Sequence, residues 1–217
     1  MEKKYEITEK QLGFLEEYLD KKFPNTEPDV RLELIDHLIS DFEATTKNGN
    51  LSQYISNELY FVNNFISNRV KEYQNTYRKS TWQQFFCFFT DIKLLPITLS
   101  LFVCFYILSE MLSDKSLWLS LMITMTVIFL VSIIFGSINN KKLKKFDEIK
   151  LLGAEIWLPY VMVYLPEGIS VFKNFLTTHS LVFSSYWLFA TIYGLAAYMV
   201  LKEQKKRILK KYKYLLQ

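Results

Sequence analysis

LWLSLMITMTVIFLVSIIFG, residues 117–136, runs for 20 residues without a charged side chain. At about 1.5 Å of rise per residue, such a run makes about 30 Å of helix, the depth of a bilayer's hydrocarbon core. It predicts a membrane-spanning helix, and it decides how the rest of the chain is read. Three further stretches are of the same kind: LLPITLSLFVCFYILSEML (94–112), residues 151–172, and LVFSSYWLFATIYGLAAYMVL (181–201). The fourth stretch is uncharged, and the first holds only Glu110 near its end. The residues ahead of them are polar and helical in pattern. The expected fold is therefore all-α, an N-terminal cytoplasmic three-helix module followed by a four-helix transmembrane bundle.

Residues 151–172 depart from the others. They contain Glu155, Pro159, Pro166, Glu167 and Gly168. One reading puts both acids near the ends of the span, where water is close, since a charge at the bilayer centre costs at least about 2.5 kcal/mol. The alternative makes Glu167 and the Pro166–Gly168 break part of a polar path, as in a small transporter or permease component. A single broken segment with no matching partner is a poor transporter signature.

Charge is divided unevenly. Residues 1–93 hold 12 Lys/Arg and 15 Asp/Glu, a net of −3; residues 94–217 hold 14 and 7, a net of +7. The excess is local. The link between the first two spans has one basic residue, Lys115, and that between the last two has Lys173. By contrast, Lys141, Lys142, Lys144, Lys145 and Lys150 follow the second span. Lys205, Lys206 and Arg207 belong to a basic tail, residues 202–217, after the fourth. Short lysine-rich loops stay on the cytoplasmic side. Both termini are accordingly expected in the cytoplasm of a bacterial inner membrane. The basic clusters would meet anionic headgroups, at about 1 kcal/mol per Lys or Arg near the surface, rather than nucleic acid. The N-terminus, MEKKYEITEK, is charged and has no apolar leader core.

TWQQFFCFFTDIK, residues 81–93, stands just before the first span. Trp82, Phe85, Phe86 and Phe89 recur at helical spacing and predict an interfacial amphipathic helix whose rings contact lipid. Cys87 and Cys104 offer no disulfide framework.

Residues 1–80 read as three helices. Thr8 and Gln11 form a capping box, with Ile7 and Leu12 as its hydrophobic staple, and Leu15 and Leu19 continue the apolar face. FPNTEP (23–28) breaks the chain before a second helix lined by Val30, Leu34, Leu38 and Phe42. Asn48-Gly49 is the expected C-cap of that helix, and a longer one follows from about Ser52.

The second helix, VRLELIDHLISDFEA (30–44), resembles the ELxDHL helix of HAAS modules, alpha-helical signalling domains found beside PadR-type regulators. It is similar in particular to Bacteroidetes-type membrane proteins in which such a helix precedes several spans. The residues that carry the likeness are Glu33, Leu34, Ile35, Asp36, His37 and Leu38. The resemblance covers about residues 5–90 and implies a regulatory or signalling accessory, not an enzyme. Its partner would be a protein regulator or a second copy of the chain.

Glu33, His37 and Asp41 stand at i, i+4 and i+8, with Asp36 beside them. Carboxylate and imidazole at that spacing can share a metal, but zinc wants three or four converging ligands and HExxH is absent. The expected role of Glu33, Asp36, His37 and Asp41 is to dock a partner, with no metal and no cofactor. His179 has no Ser or Cys arrangement around it that would suggest nucleophilic catalysis.

Overall fold

The computed structural model describes residues 5–46 and 48–215, except the side chains of Glu167 and Leu215. The fold is all-α, with no strand among the described residues. It divides into two compact units, one comprising the chain up to Gln74 with Asn140–Lys150, the other Asn75–Asn139 with Leu151 onward.

In the first unit, α1 (Glu9–Lys22) opens on the capping box: Gln11 N–H donates to Thr8 Oγ1, and Thr8 N–H to Gln11 Oε1. Helix α2 (Pro28–Thr45) starts on a proline, which has no amide hydrogen to leave unbonded. It ends at Thr45, short of Asn48-Gly49. Gly49, at φ 65°, instead serves the link into α3 (Leu51–Thr90). Its carbonyl accepts from Gln11 Nε2, and a Cβ there would meet the Tyr5 ring at 2.5 Å. Asn50 Oδ1 accepts from Gln53 N–H and so caps α3. Leu15, Leu19, Leu34, Leu38, Phe42, Ile55 and Val62 are buried together, as the helical periodicity predicts. Arg31 holds the 23–28 link by pairing with Asp20 and donating to the carbonyls of Phe23 and Thr26.

The unit is completed by the lysine-rich segment, which the sequence had marked only by charge. Leu143, Phe146 and Ile149 are buried, and α6 (Asp147–Lys150) meets the N-terminal end of α2. Asp147 N–H donates to the Asn25 carbonyl at 3.2 Å, and Glu148 N–H to Glu27 Oε1 at 2.6 Å. Glu27 is 2% exposed. Burial pushes its carboxyl up from the usual range, and the charges of Glu148 and Asp147 add to this. The hydrogen bonds donated by the Glu148 and Glu27 backbone act the other way.

In the second unit, α4 (Leu95–Met111), α5 (Asp114–Gly136), α7 (Trp157–Glu167) and α8 (Ser170–Thr178) each pack against α9 (Ser180–Lys211). Asp114–Gly136, Asp147–Pro166 and Ser180–Lys211 are long and apolar enough to cross a membrane. The helices α3 and α4, bent by 84° at their junction, make a fourth candidate if counted as one span. Asp147–Pro166 meets that test by length and composition but is not one helix. Gly153 turns the chain at φ 93°, a 3₁₀ turn follows at Ala154–Ile156, and α7 begins at Trp157. Residues 151–172 thus comprise that turn, α7, a break at Gly168–Ile169 and the start of α8. Pro166 lies inside α7, and the Met162 carbonyl that its missing N–H leaves without a helical donor accepts from the Tyr186 hydroxyl instead.

Residues 81–90 continue α3 rather than forming a separate helix, and α3 ends at Thr90. The core of this unit is aromatic. Phe105 stacks on Trp187 at 4.2 Å between ring centroids, and Phe183 and Tyr193 are fully buried.

Two outcomes follow. For Glu27, the folded state binds the proton more tightly than the unfolded chain, so its contribution to stability is full below the ordinary carboxylate range and falls as pH rises through the raised value. Amide exchange across 147–150, corrected for intrinsic rate, is expected to be slower at pH 5.5 than at pH 8. In Glu27→Gln, which keeps the acceptor, it should be flat; an equally pH-dependent Glu27→Gln removes this role. At Gly136, a Cβ would lie 2.0 Å from Leu201 Cδ2 and 2.7 Å from its Cγ. Gly136→Ala should cost about 1–3 kcal/mol by overpacking, and Leu201→Ala in the same chain should recover much of it. Thermal unfolding of the four members of that cycle is the measurement.

Candidate functional site on the N-terminal unit

The α2 residues singled out above do different jobs. Glu33 pairs with Arg69, which also reaches Glu72 at 3.0 Å. The His37 ring stacks on Phe61 with centroids 5.0 Å apart and planes 25° from parallel. Asp41 Oδ2 accepts from the Tyr54 hydroxyl at 2.7 Å. Burial pushes the Tyr54 phenol up, and the hydrogen bond to Asp41 pushes it further, so it stays a neutral donor. Asp36 is exposed.

His37 and Asp41 line an open groove of about 700 Å³ between the C-terminal half of α2 and the start of α3. Glu33 and Asp36 are not part of it. Thr45, Asn50, Gln53 and Asn57 supply hydroxyls and amides along its walls, and Glu58 adds a second carboxylate. The groove therefore offers donors and acceptors in mixed order, with one ring pair and two acids. Such a surface suits a peptide's backbone amides and a basic side chain. Sequence periodicity missed Asn50, Gln53, Asn57 and Glu58. Gln53, Asn57 and Glu58 lie on α3 and Asn50 just ahead of it, and all four line the same groove as His37.

The residues expected at lipid divide likewise. Phe85 is 5% exposed and packs with Trp82 against Phe189 and Tyr193 of α9, so both rings serve the protein core. Phe86 and Phe89 point outward, at 57% and 40% exposure. Lys141, Lys142, Lys206 and Arg207 are exposed, Arg207 reaching Glu203 at 2.6 Å. Lys205 Nζ donates to the Phe135 carbonyl at 2.9 Å, at the C-terminal end of α5, where the helix dipole favours a cation.

Of the acids considered for a polar path, Glu155 accepts from the Tyr193 hydroxyl at 2.6 Å. The Glu167 side chain lies outside the described residues. No family model matches the chain, and no curated protein or solved structure does.

Proposed function

We propose that the chain is a multi-pass inner-membrane protein whose N-terminal helical unit is a cytoplasmic docking module for a protein partner, in a regulatory or signalling role. The observation that carries this reading is the groove of His37, Asp41, Asn57 and Glu58. It is open, polar on both walls, and built from elements whose apolar faces are already spent on the core. The lysine distribution supports the cytoplasmic assignment of both termini. Phe86 and Phe89 would lie against acyl chains, and Lys141, Lys142, Lys206 and Arg207 near anionic headgroups.

The test uses the full chain, because α6 completes the first unit and a fragment ending at residue 80 would lack it. A photo-crosslinking residue at Asn57, in cells, is expected to give a discrete protein adduct. Asp41→Ala in the same chain should lower its yield roughly tenfold, the weight of one well-placed interface contact of about 1–2 kcal/mol. A probe at Asn57 that captures only water while one at Phe86 captures lipid would sink the docking role. Orientation is checked separately with a phosphatase that folds only outside the cytoplasm. Fused after Gln217, it should be inactive, and activity there would reverse the topology.

A further inference from the structure

Two carboxylates face the groove of the first unit with no cation to answer them. Asp41 comes from α2 and Glu58 from α3, and both are half-buried. Asp41 spends one oxygen on the Tyr54 hydroxyl. Glu58 makes no hydrogen bond or ion pair among the described residues. Both charges act on the Tyr54 phenol and hold its proton more firmly, so the two acids share one neighbourhood. No Lys or Arg stands among the described residues that line the groove. Acids elsewhere on the unit do find cations: Glu17 has Lys21, Asp20 has Arg31 and Glu33 has Arg69. Like charges held close in a partly desolvated site repel each other, and a cation entering between them is attracted by both.

The neighbouring groups narrow the cation. His37 stands four residues before Asp41 on α2, and Phe61 three after Glu58 on α3. Helical spacing thus sets the stacked His37–Phe61 pair one turn along from the acid pair, each pair drawn from both helices. His37 is exposed and lines the groove, so the stack offers π-surface to an occupant. A metal ion has no use for that surface, and an ammonium is a hydrated point charge. A guanidinium is planar, forks onto a carboxylate and stacks on rings. The side-chain amides of Gln53 and Asn57 make no hydrogen bond among the described residues, and they can pair with the backbone on either side of such a group.

We infer that the groove takes an arginine-bearing peptide segment of the partner, its guanidinium between Asp41 and Glu58 and its flat face toward the His37 ring. This deepens the docking role proposed above and rests on it. The test uses purified full-length chain in detergent with a photo-crosslinking residue at Asn57, irradiated with the tagged peptide Gly-Ser-Gly-Arg-Gly-Ser-Gly. Its lysine and citrulline counterparts are run beside it, citrulline keeping the shape of arginine without the charge. Arginine is expected to give roughly ten times the adduct of citrulline, as loss of a charge-assisted hydrogen bond implies. It should exceed lysine about threefold, the share of ring stacking. Glu58→Gln should bring arginine down to the citrulline level, and His37→Ala should erase the margin over lysine while leaving lysine unchanged. Asp36→Asn, the same change of charge on α2 outside the groove, should alter nothing. Equal yields from arginine and citrulline overturn the inference, and that comparison needs no substitution at Glu58. Full retention in Glu58→Gln, or an equal loss in Asp36→Asn, overturns it as well. A discrete protein adduct at Asn57 in cells without any arginine preference here would keep the docking role and remove the guanidinium. An arginine preference here with no protein adduct in cells would keep the guanidinium site and remove the docking role.

Discussion

The second unit depends on close approach to one helix. Helices α4, α5, α7 and α8 all pack on α9, and that is possible because α9 is thin along its middle. Ala190, Gly194, Ala196 and Ala197 are buried there with almost no exposure. A Cβ on Gly194 would meet Ile128 Cγ2 at 3.0 Å and Pro159 Cγ at 3.6 Å, so α5 and α7 use the space that glycine leaves. In a membrane, helices gain little from hiding apolar surface from one another. Small residues that permit van der Waals contact, with a few interhelical hydrogen bonds, then carry association. Ser109 Oγ and Ser184 Oγ, 3.0 Å apart, supply such a bond between α4 and α9. The large rings fill what the small residues do not, Trp187 on Phe105 above all.

That arrangement explains what the sequence disclosed and what it withheld. Hydropathy reports how much of a helix avoids water, so residues 117–136 and 181–201 were legible as α5 and most of α9. It does not distinguish a side chain facing lipid from one facing another helix. Phe85 and Phe86 are neighbours with the same hydropathy, yet one is buried on α9 and the other exposed. Periodicity likewise recovered Leu15, Leu34, Leu38 and Phe42, because each is decided within its own helix. The groove was half legible for the same reason. His37 and Asp41 share α2, but Asn57 and Glu58 belong to α3 and reach them only through the packing of the two helices.

Position of charge was informative, whereas its consequences were not. The lysines of KKLKK at 141–145 are exposed, as their charge implies. Nothing in a lysine cluster says that the apolar residue within it, Leu143, is fully buried, or that Phe146 and Ile149 follow it inward. The segment therefore displays its cations from a docked turn.

The buried Glu27 carries the cost of that docking. Its carboxylate is taken out of water for a bond from Glu148 N–H, with the like charges of Asp147 and Glu148 close by. A buried acceptor is tolerable only while its donor is present. Removing 140–150 would strand Glu27 and the Asn25 carbonyl together and expose the apolar surface against Leu143, Phe146 and Ile149. The chain passes between the units after Gln74, after Asn139 and again after Lys150. The first unit is thus assembled from two separated parts of the sequence, and its stability is a property of the whole chain rather than of the residues before α4.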